Sequence, residues 1–175
     1  TGVTPEQAAV WAYPMNHEES ISPDALREEV IFNMVSAMLL RIHQSGHLAK
    51  LDEERKALVK QALSVYKTIR PDIRVSRPFW PLGLAGYSDE IVSLGLFVEG
   101  KAYLAVWKRS GAAESVTLPI SDAVRTALDS EKIALSCIYP GPETAEASYD
   151  PLEKAVKVAL PKPVMARLFE LTPDR

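Results

Sequence analysis

The chain has 175 residues, of which 47% are hydrophobic and 25% charged, with a formal net charge of -3. Such a length can bury one sizeable core, or a small helical unit beside a compact β domain, and so weak a charge offers no field for nucleic acid or an anionic membrane surface. No signal-peptide pattern or apolar run of spanning length occurs, and neither Asn16 nor Asn33 begins a glycosylation sequon, so a cytoplasmic location is the expectation.

The first stretch, T-G-V-T-P-E-Q-A-A-V-W-A-Y-P from Thr1 to Pro14, reads as the interior of a larger enzyme. Thr4 as N-cap, Pro5 at the first helical position and Gln7 beyond it form a capping box, with nothing before them to supply the strand they should follow. The chain is therefore expected to be a fragment. Ser22 and Pro23 repeat the cap signature, and Leu26, Val30, Ile31, Met34, Val35 and Met38 then recur at helical spacing. The run from Ala37 to His43 either carries that helix on to a stop at Gly46 or forms a short, fully buried parallel strand; periodicity does not choose. Asp52 caps a further helix with Glu53 and Glu54 in its first turn and Leu58, Val59, Ala62, Leu63, Tyr66 and Ile69 as its apolar stripe, and Pro71 should end or kink it.

The segment Arg77 to Gly86, R-P-F-W-P-L-G-L-A-G, separates period 3.6 from period 2 and marks a boundary, giving a helical unit over residues 1–77 and a β domain over residues 78–175. Ile91 to Val98 and Lys101 to Lys108 form a hairpin across Glu99-Gly100, whose glycine supplies the positive φ of a compact turn. Glu114 to Leu118, Lys132 to Tyr139, Lys154 to Leu160 and Val164 to Leu171 add strands, and an antiparallel β-sandwich follows. The sole cysteine, Cys137 in A-L-S-C-I-Y, reads as a buried small side chain, and no disulfide within one chain can form.

Few residues announce chemistry. His43 and His47 are four apart, but H-Q-S-G-H lacks the metalloprotease glutamate and Gly46 opposes a helix there, so neither a metal nor any other cofactor is expected. Adjacent acids such as Glu18-Glu19, Glu28-Glu29 and Asp89-Glu90 read as solvated dipole partners on helix starts and loops. Glycine-rich phosphate loops, a nucleophile elbow and a Ser/His/Asp signature are all lacking from the sequence. Trp11 and Tyr13 could stack on a pyranose but read more readily as packing groups, and Phe79 and Trp80 read as a plug between the helical and β units. In the β half, Tyr103, Trp107 and Trp80 are the conceivable sugar platforms. Ala102, Leu104 and Val106 share one strand face with Tyr103, Ala105 and Trp107 on the other, so both faces should be covered and a bracing or oligomer-forming role is the preferred reading of that half.

The series G-V-T-P-E-Q-A-A-V-W-A-Y-P, E-E-V-I-F-N-M-V-S-A-M-L-L-R-I-H-Q-S-G-H-L, V-Y-K-T-I-R-P-D-I-R and P-F-W-P-L-G-L resembles the C-terminal part of bacterial melibiase-type α-galactosidases, glycoside hydrolase family 36, with Y-L-A-V-W-K-R from Tyr103 to Arg109 as a fainter echo. The resemblance implies an α+β fragment: the last helices and strand of a (β/α)8 barrel followed by a C-terminal antiparallel β-sandwich. Gly2 to Pro5 would lie just past barrel strand seven, Ala25 to about Ala37 would be the next helix, Leu39 to His43 strand eight, and Asp52 to about Arg70 the last barrel helix. Thr4, Trp11, His43 and Ser45 would then sit on the functional rim as substrate-binding residues. The aspartate nucleophile and acid/base of such retaining enzymes would both fall before Thr1, so no catalytic residue is expected here and the chain alone should be inactive. The implied partners are α-galactoside sugars in the intact enzyme and a homo-oligomer, with no nucleic acid or membrane. An isolated barrel piece, with strand edges bare, should associate.

Overall fold

The computed structural model describes residues 3–14, 23–46, 48–141 and 146–174, with the side chains of 23–26 left aside. The expected cap at Ser22, the second imidazole at His47 and the acids Glu18-Glu19 lie outside the described residues. The fold is α+β with antiparallel sheets. Strand β1 (Ala9–Ala12), helix α1 (Pro23–Met38), strand β2 (Arg41–Gln44), a short 3-10 turn (Leu48–Lys50) and helix α2 (Glu53–Val75) come first. They are followed by β3 (Arg77–Phe79), β4 (Ile91–Val98), β5 (Lys101–Lys108), β6 (Ser115–Pro119), α3 (Asp122–Leu128), β7 (Ile133–Tyr139), β8 (Ala147–Asp150), β9 (Ala155–Ala159) and β10 (Met165–Pro173).

The opening differs from the sequence expectation. Thr4 to Gln7 closes a single turn, with the amides of Gln7 and Ala8 donating to the Thr4 carbonyl at 2.9 and 3.1 Å, and the chain then enters β1. The alternating A-V-W-A run extends because Ala9 through Ala12 pair in parallel with Arg41 through Gln44, so tertiary pairing overrides the local cap. The strand preceding α1 is thus Ala9–Ala12, and Thr4 and Pro5 lie before it. Helix α1 stops at Met38, and the strand alternative for the ambiguous run is the one realised. Its burial is only partial: Ile42, His43 and Gln44 are half-buried and Arg41 is exposed.

Asp52 caps α2 as expected, accepting from the Arg55 amide at 2.8 Å. Pro71 does not end the helix, which runs on to Val75. A proline in a helix interior costs about 3 kcal/mol, and the last turn is held by buried Ile69 and Ile73 and by the Tyr103 hydroxyl, which donates to Asp72 Oδ2 at 2.5 Å. Ser76 closes the end by donating through Oγ to the Ile73 carbonyl at 2.8 Å.

Strands β3-β4-β5-β10-β7 form a five-stranded antiparallel sheet, and β6-β9-β8 a three-stranded one. One core lies between them, where Ala102, Leu104 and Val106 meet Leu118, Val156, Val158 and the α3 residues Val124 and Leu128. Helix α3 is not among the elements expected from the sequence; Ser121 and Asp122 are a start signal, and the left-handed Asp129 closes it. A second core joins the opposite face of β5, Tyr103, Ala105 and Trp107, to α1 and α2 through Ile31, Met34, Val35, Leu58 and Ala62. Phe79 belongs to the first of these, edge-on to Phe97 with ring centroids 6.1 Å apart, and Trp80 is exposed, so the pair does not plug a seam between helices and sheet. Among the described residues no helix is long and apolar enough to cross a membrane.

Two phenols give this packing a pH signature. Burial, then the Asp72 carboxylate, holds the Tyr103 proton well above the ordinary tyrosine range. Burial does the same for Tyr139, outweighing the pull of Arg27 and Arg167. A folded-state pKa raised above the unfolded value near 10 means that the unfolded chain loses these protons first, so stability is intact below about pH 10 and falls above it, by about 1.4 kcal/mol per pH unit per group. Of the six tyrosines, two should therefore be missing from the reversible absorbance titration at 295 nm and ionise only together with alkaline unfolding. Full reversible titration with the far-ultraviolet signal unchanged would contradict this packing.

Candidate functional site

The parallel pair β1–β2 has two unlike faces. Period-two alternation turns Val10, Ala12 and Ile42 toward α1 and the helical core, where Ala12 is fully buried. The other face carries Ala9, Trp11 and Tyr13 from one strand and Arg41, His43 and Ser45 from the next. Trp11 stands directly opposite His43 in the register, its ring 5.5 Å from the imidazole and nearly perpendicular to it, and Tyr13 lies 6.1 Å from Trp11 at 21°. Trp11 and Tyr13 remain 58% and 50% exposed, so their faces are available to a ligand rather than spent on packing.

The strand ends are tied together. The Ser45 amide donates to the Ala12 carbonyl at 3.0 Å, and Gln44 Nε2 donates to the carbonyls of Ala12 at 3.2 Å and Ser45 at 3.1 Å. Gln44 Oε1 is buried without a donor among the described residues. Nothing in the sequence marks Gln44 beyond its place as the last residue of β2. Trp11, His43 and Ser45 are thus brought together at or just beyond the C-terminal ends of two parallel strands. Thr4 is not: it precedes β1, at the opposite end of the strand pair.

Flat aromatic faces beside an imidazole and a hydroxyl suit a sugar ring, which offers a C–H face for stacking and hydroxyls for hydrogen bonds. Neither strand carries a carboxylate. Among the described residues no group of three His, Cys, Asp or Glu is placed to hold a metal ion. Cys137 is half-buried in β7 with its sulfur 3.5 Å from the carbonyls of Tyr139 and Pro140. In the β half, Tyr103 and Trp107 are buried and present no ring to solvent, which leaves Trp80 as the exposed aromatic of the three considered.

No protein-family model matches the sequence, and no curated protein does. Its structural neighbours are α-galactosidases of glycoside hydrolase family 36. A variant of the Geobacillus stearothermophilus enzyme AgaA in complex with stachyose matches 96% of this chain over 22% of its own length, with a TM-score of 0.62 and 19% identity. Another AgaA variant from that organism, in complex with raffinose, matches 94% of this chain over 21% of its own, with a TM-score of 0.61 and 18% identity. An α-amylase from Anoxybacillus matches 86% of this chain over 33% of its own, with a TM-score of 0.58 and 12% identity. The chain spans about one fifth of the length of the galactosidases it matches, and at these identities the likeness is one of fold.

Proposed function

We propose that this chain is the C-terminal part of a retaining α-galactosidase, with residues 1–77 as the last β/α units of a (β/α)8 barrel and residues 78–175 as a β-sandwich domain that braces them. The observation that carries the reading is β1–β2, parallel strands joined through α1 in a protein whose other described strands all pair antiparallel. Parallel neighbours need a long crossover, and barrel enzymes place their sites at the C-terminal strand ends, where Trp11, Tyr13, His43 and Ser45 stand. In this reading Trp11 stacks on the galactose ring, and His43 and Ser45 hydrogen-bond its hydroxyls. Retention of configuration needs two carboxyl groups about 5 Å apart, and this strand pair supplies none. The family resemblance places both aspartates outside these residues, and in this reading the chain alone is inactive.

The bracing role is supported by what ties the two halves together, above all the buried Glu28–Arg167 pair between α1 and β10 and the Tyr103–Asp72 bond between β5 and α2. Since an α-amylase shares the fold, the test needs an α-glucoside arm. The chain by itself should release no aryl group from an aryl α-galactoside above a heat-killed control. Exchanged for the matching fifth of a family 36 enzyme, it should sustain hydrolysis of the galactoside in preference to the glucoside, and Trp11→Ala in that chimera should lower kcat/KM about tenfold, or about 1.4 kcal/mol. Turnover by the isolated chain, or a glucoside preference in the chimera, would overturn the assignment.

A further inference from the structure

We infer that a cleft where the end of α2 meets the β4–β5 hairpin and α3 binds a neutral sugar ring, in a second site separate from the strand ends of β1 and β2. α2 begins just after β2 and carries the chain about 33 Å along its axis before this cleft is reached. Its last turn contributes Asp72 and Val75, β3 contributes Arg77, the hairpin contributes Phe97 and Glu99, and Ala127 of α3 closes the far side. The space between them is about 530 Å³, within the range of small-molecule sites. The hairpin turn is fixed to α3, because the Gly100 amide donates to the Ala127 carbonyl at 2.7 Å.

The polar groups of the cleft are held in place without being used up. Asp72 Oδ2 accepts from the Tyr103 hydroxyl at 2.5 Å and lies 3.7 Å from Lys101 Nζ, while Oδ1 takes no hydrogen bond among the described residues. The side chains of Arg77 and Glu99 have no ion-pair or hydrogen-bond partner among the described residues. Beside them stand Val75, 66% exposed, and Phe97, half-buried with its ring edge-on to Phe79. Lys101 offsets Asp72 and Arg77 offsets Glu99, so the cleft presents little field for an anion or a cation. A wholly apolar ligand would strip water from three charged groups and replace none of their hydrogen bonds. A free amino acid would pair with Glu99 and Arg77 but leave Asp72 Oδ1 without a donor. A pyranose answers all of these groups: its hydroxyls donate to both carboxylates and accept from the guanidinium, and its C–H face packs on Val75 and Phe97. The galactosidase reading needs only the strand ends, so the two sites stand independently.

The test uses the whole chain, isotope-labelled for nuclear magnetic resonance, with methyl α-galactopyranoside as the probe. Amide resonances at Val75, Arg77, Phe97 and Glu99 should shift saturably as the glycoside is added, with a Kd in the millimolar range. Arg77→Met and Glu99→Gln, both at exposed positions, should each weaken that binding about fivefold or more. Resonances elsewhere that match those of the parent establish that each variant is folded. Leucine and inorganic phosphate, titrated in the same way, should bind these amides more weakly than the glycoside. The absence of saturable shifts at the cleft, binding that both variants leave unchanged, or tighter binding of leucine or phosphate overturns the inference. The strand-end site reports separately through Trp11 and His43. Shifts confined to those two residues sink this inference and leave the galactosidase reading standing, and shifts at the cleft in a chain whose chimera is inactive do the reverse.

Discussion

Arg167→Met is expected to cost about 3 kcal/mol of folding stability at pH 7, the lower end of what removal of one partner from a buried ion pair costs. Arg167 and Glu28 are both buried, and the guanidinium grips the carboxylate with two hydrogen bonds, Nη1 to Oε2 at 2.8 Å and Nη2 to Oε1 at 3.0 Å. Lys162 Nζ donates to Oε1 at 2.8 Å from a half-exposed position, and it keeps the variant from the full penalty. Burial by itself would raise the Glu28 pKa; the bonds from Arg167 and Lys162 outweigh it and hold the carboxyl below its ordinary range. A depressed folded-state value means that this contribution is complete above the unfolded pKa near 4.3 and is lost as pH falls through the folded value. In Arg167→Met burial has one fewer opponent, so the gap between variant and parent should widen from pH 3 to pH 7. Urea unfolding followed by circular dichroism measures it. Glu28→Leu with Arg167→Met should recover most of the loss, because apolar replacement of a whole buried pair is often neutral. A single variant within about 1 kcal/mol of the parent at pH 7 would show that the pair is not buried as described.

The same pair shows which parts of the fold are legible in the sequence and which are not. Adjacency to Glu29 makes Glu28 look like a solvated acid, yet it lies three residues before Ile31 and seven before Val35, on the stripe that α1 buries. Helical spacing could have raised the question, but the answer needed Arg167, distant in sequence and adjacent only in the fold. The hairpin β4–β5 was legible because its signals are local: two β-rich runs and a glycine at φ +73°. The start of the chain was misread for the complementary reason. Thr4, Pro5 and Gln7 make a sound local helix signal, and what defeats it is β2, some thirty residues on, which pairs with Ala9–Ala12. Trp11 and His43 stand side by side because a parallel register brings the two strand ends together. Thr4 lies before β1, and the tie that Gln44 makes across the strand ends depends on Ala12, far off in sequence.

Gly95→Ala should be as damaging as many deletions from the core, although it adds only one methyl group. Gly95 faces Phe79 across the β3–β4 pair, and a Cβ placed on it would fall within the Phe79 ring at Cε1 and Cζ. The ring cannot give way freely, because it is buried against the core between the two sheets and sits edge-on to Phe97. Overpacking of this kind costs about 1–3 kcal/mol, and full ejection of the phenylalanine would approach the 3–5 kcal/mol of Phe79→Ala, so about 3 kcal/mol is the expected loss. The decisive measurement is a double-mutant cycle. In a Phe79→Ala background the methyl group meets empty space, and Gly95→Ala should become neutral or stabilise by about 0.5 kcal/mol, since alanine in a strand sacrifices less chain entropy than glycine. A cost that is the same in both backgrounds would mean that the glycine serves the backbone and not the ring. Because Phe79 lies on β3 immediately after the end of α2, a displaced ring should also disturb the last turn of that helix. The Tyr103–Asp72 bond there gives a second check, as the alkaline onset of Tyr103 ionisation should move to lower pH when Gly95→Ala is made in the parent and stay where it is when the same substitution is made in Phe79→Ala.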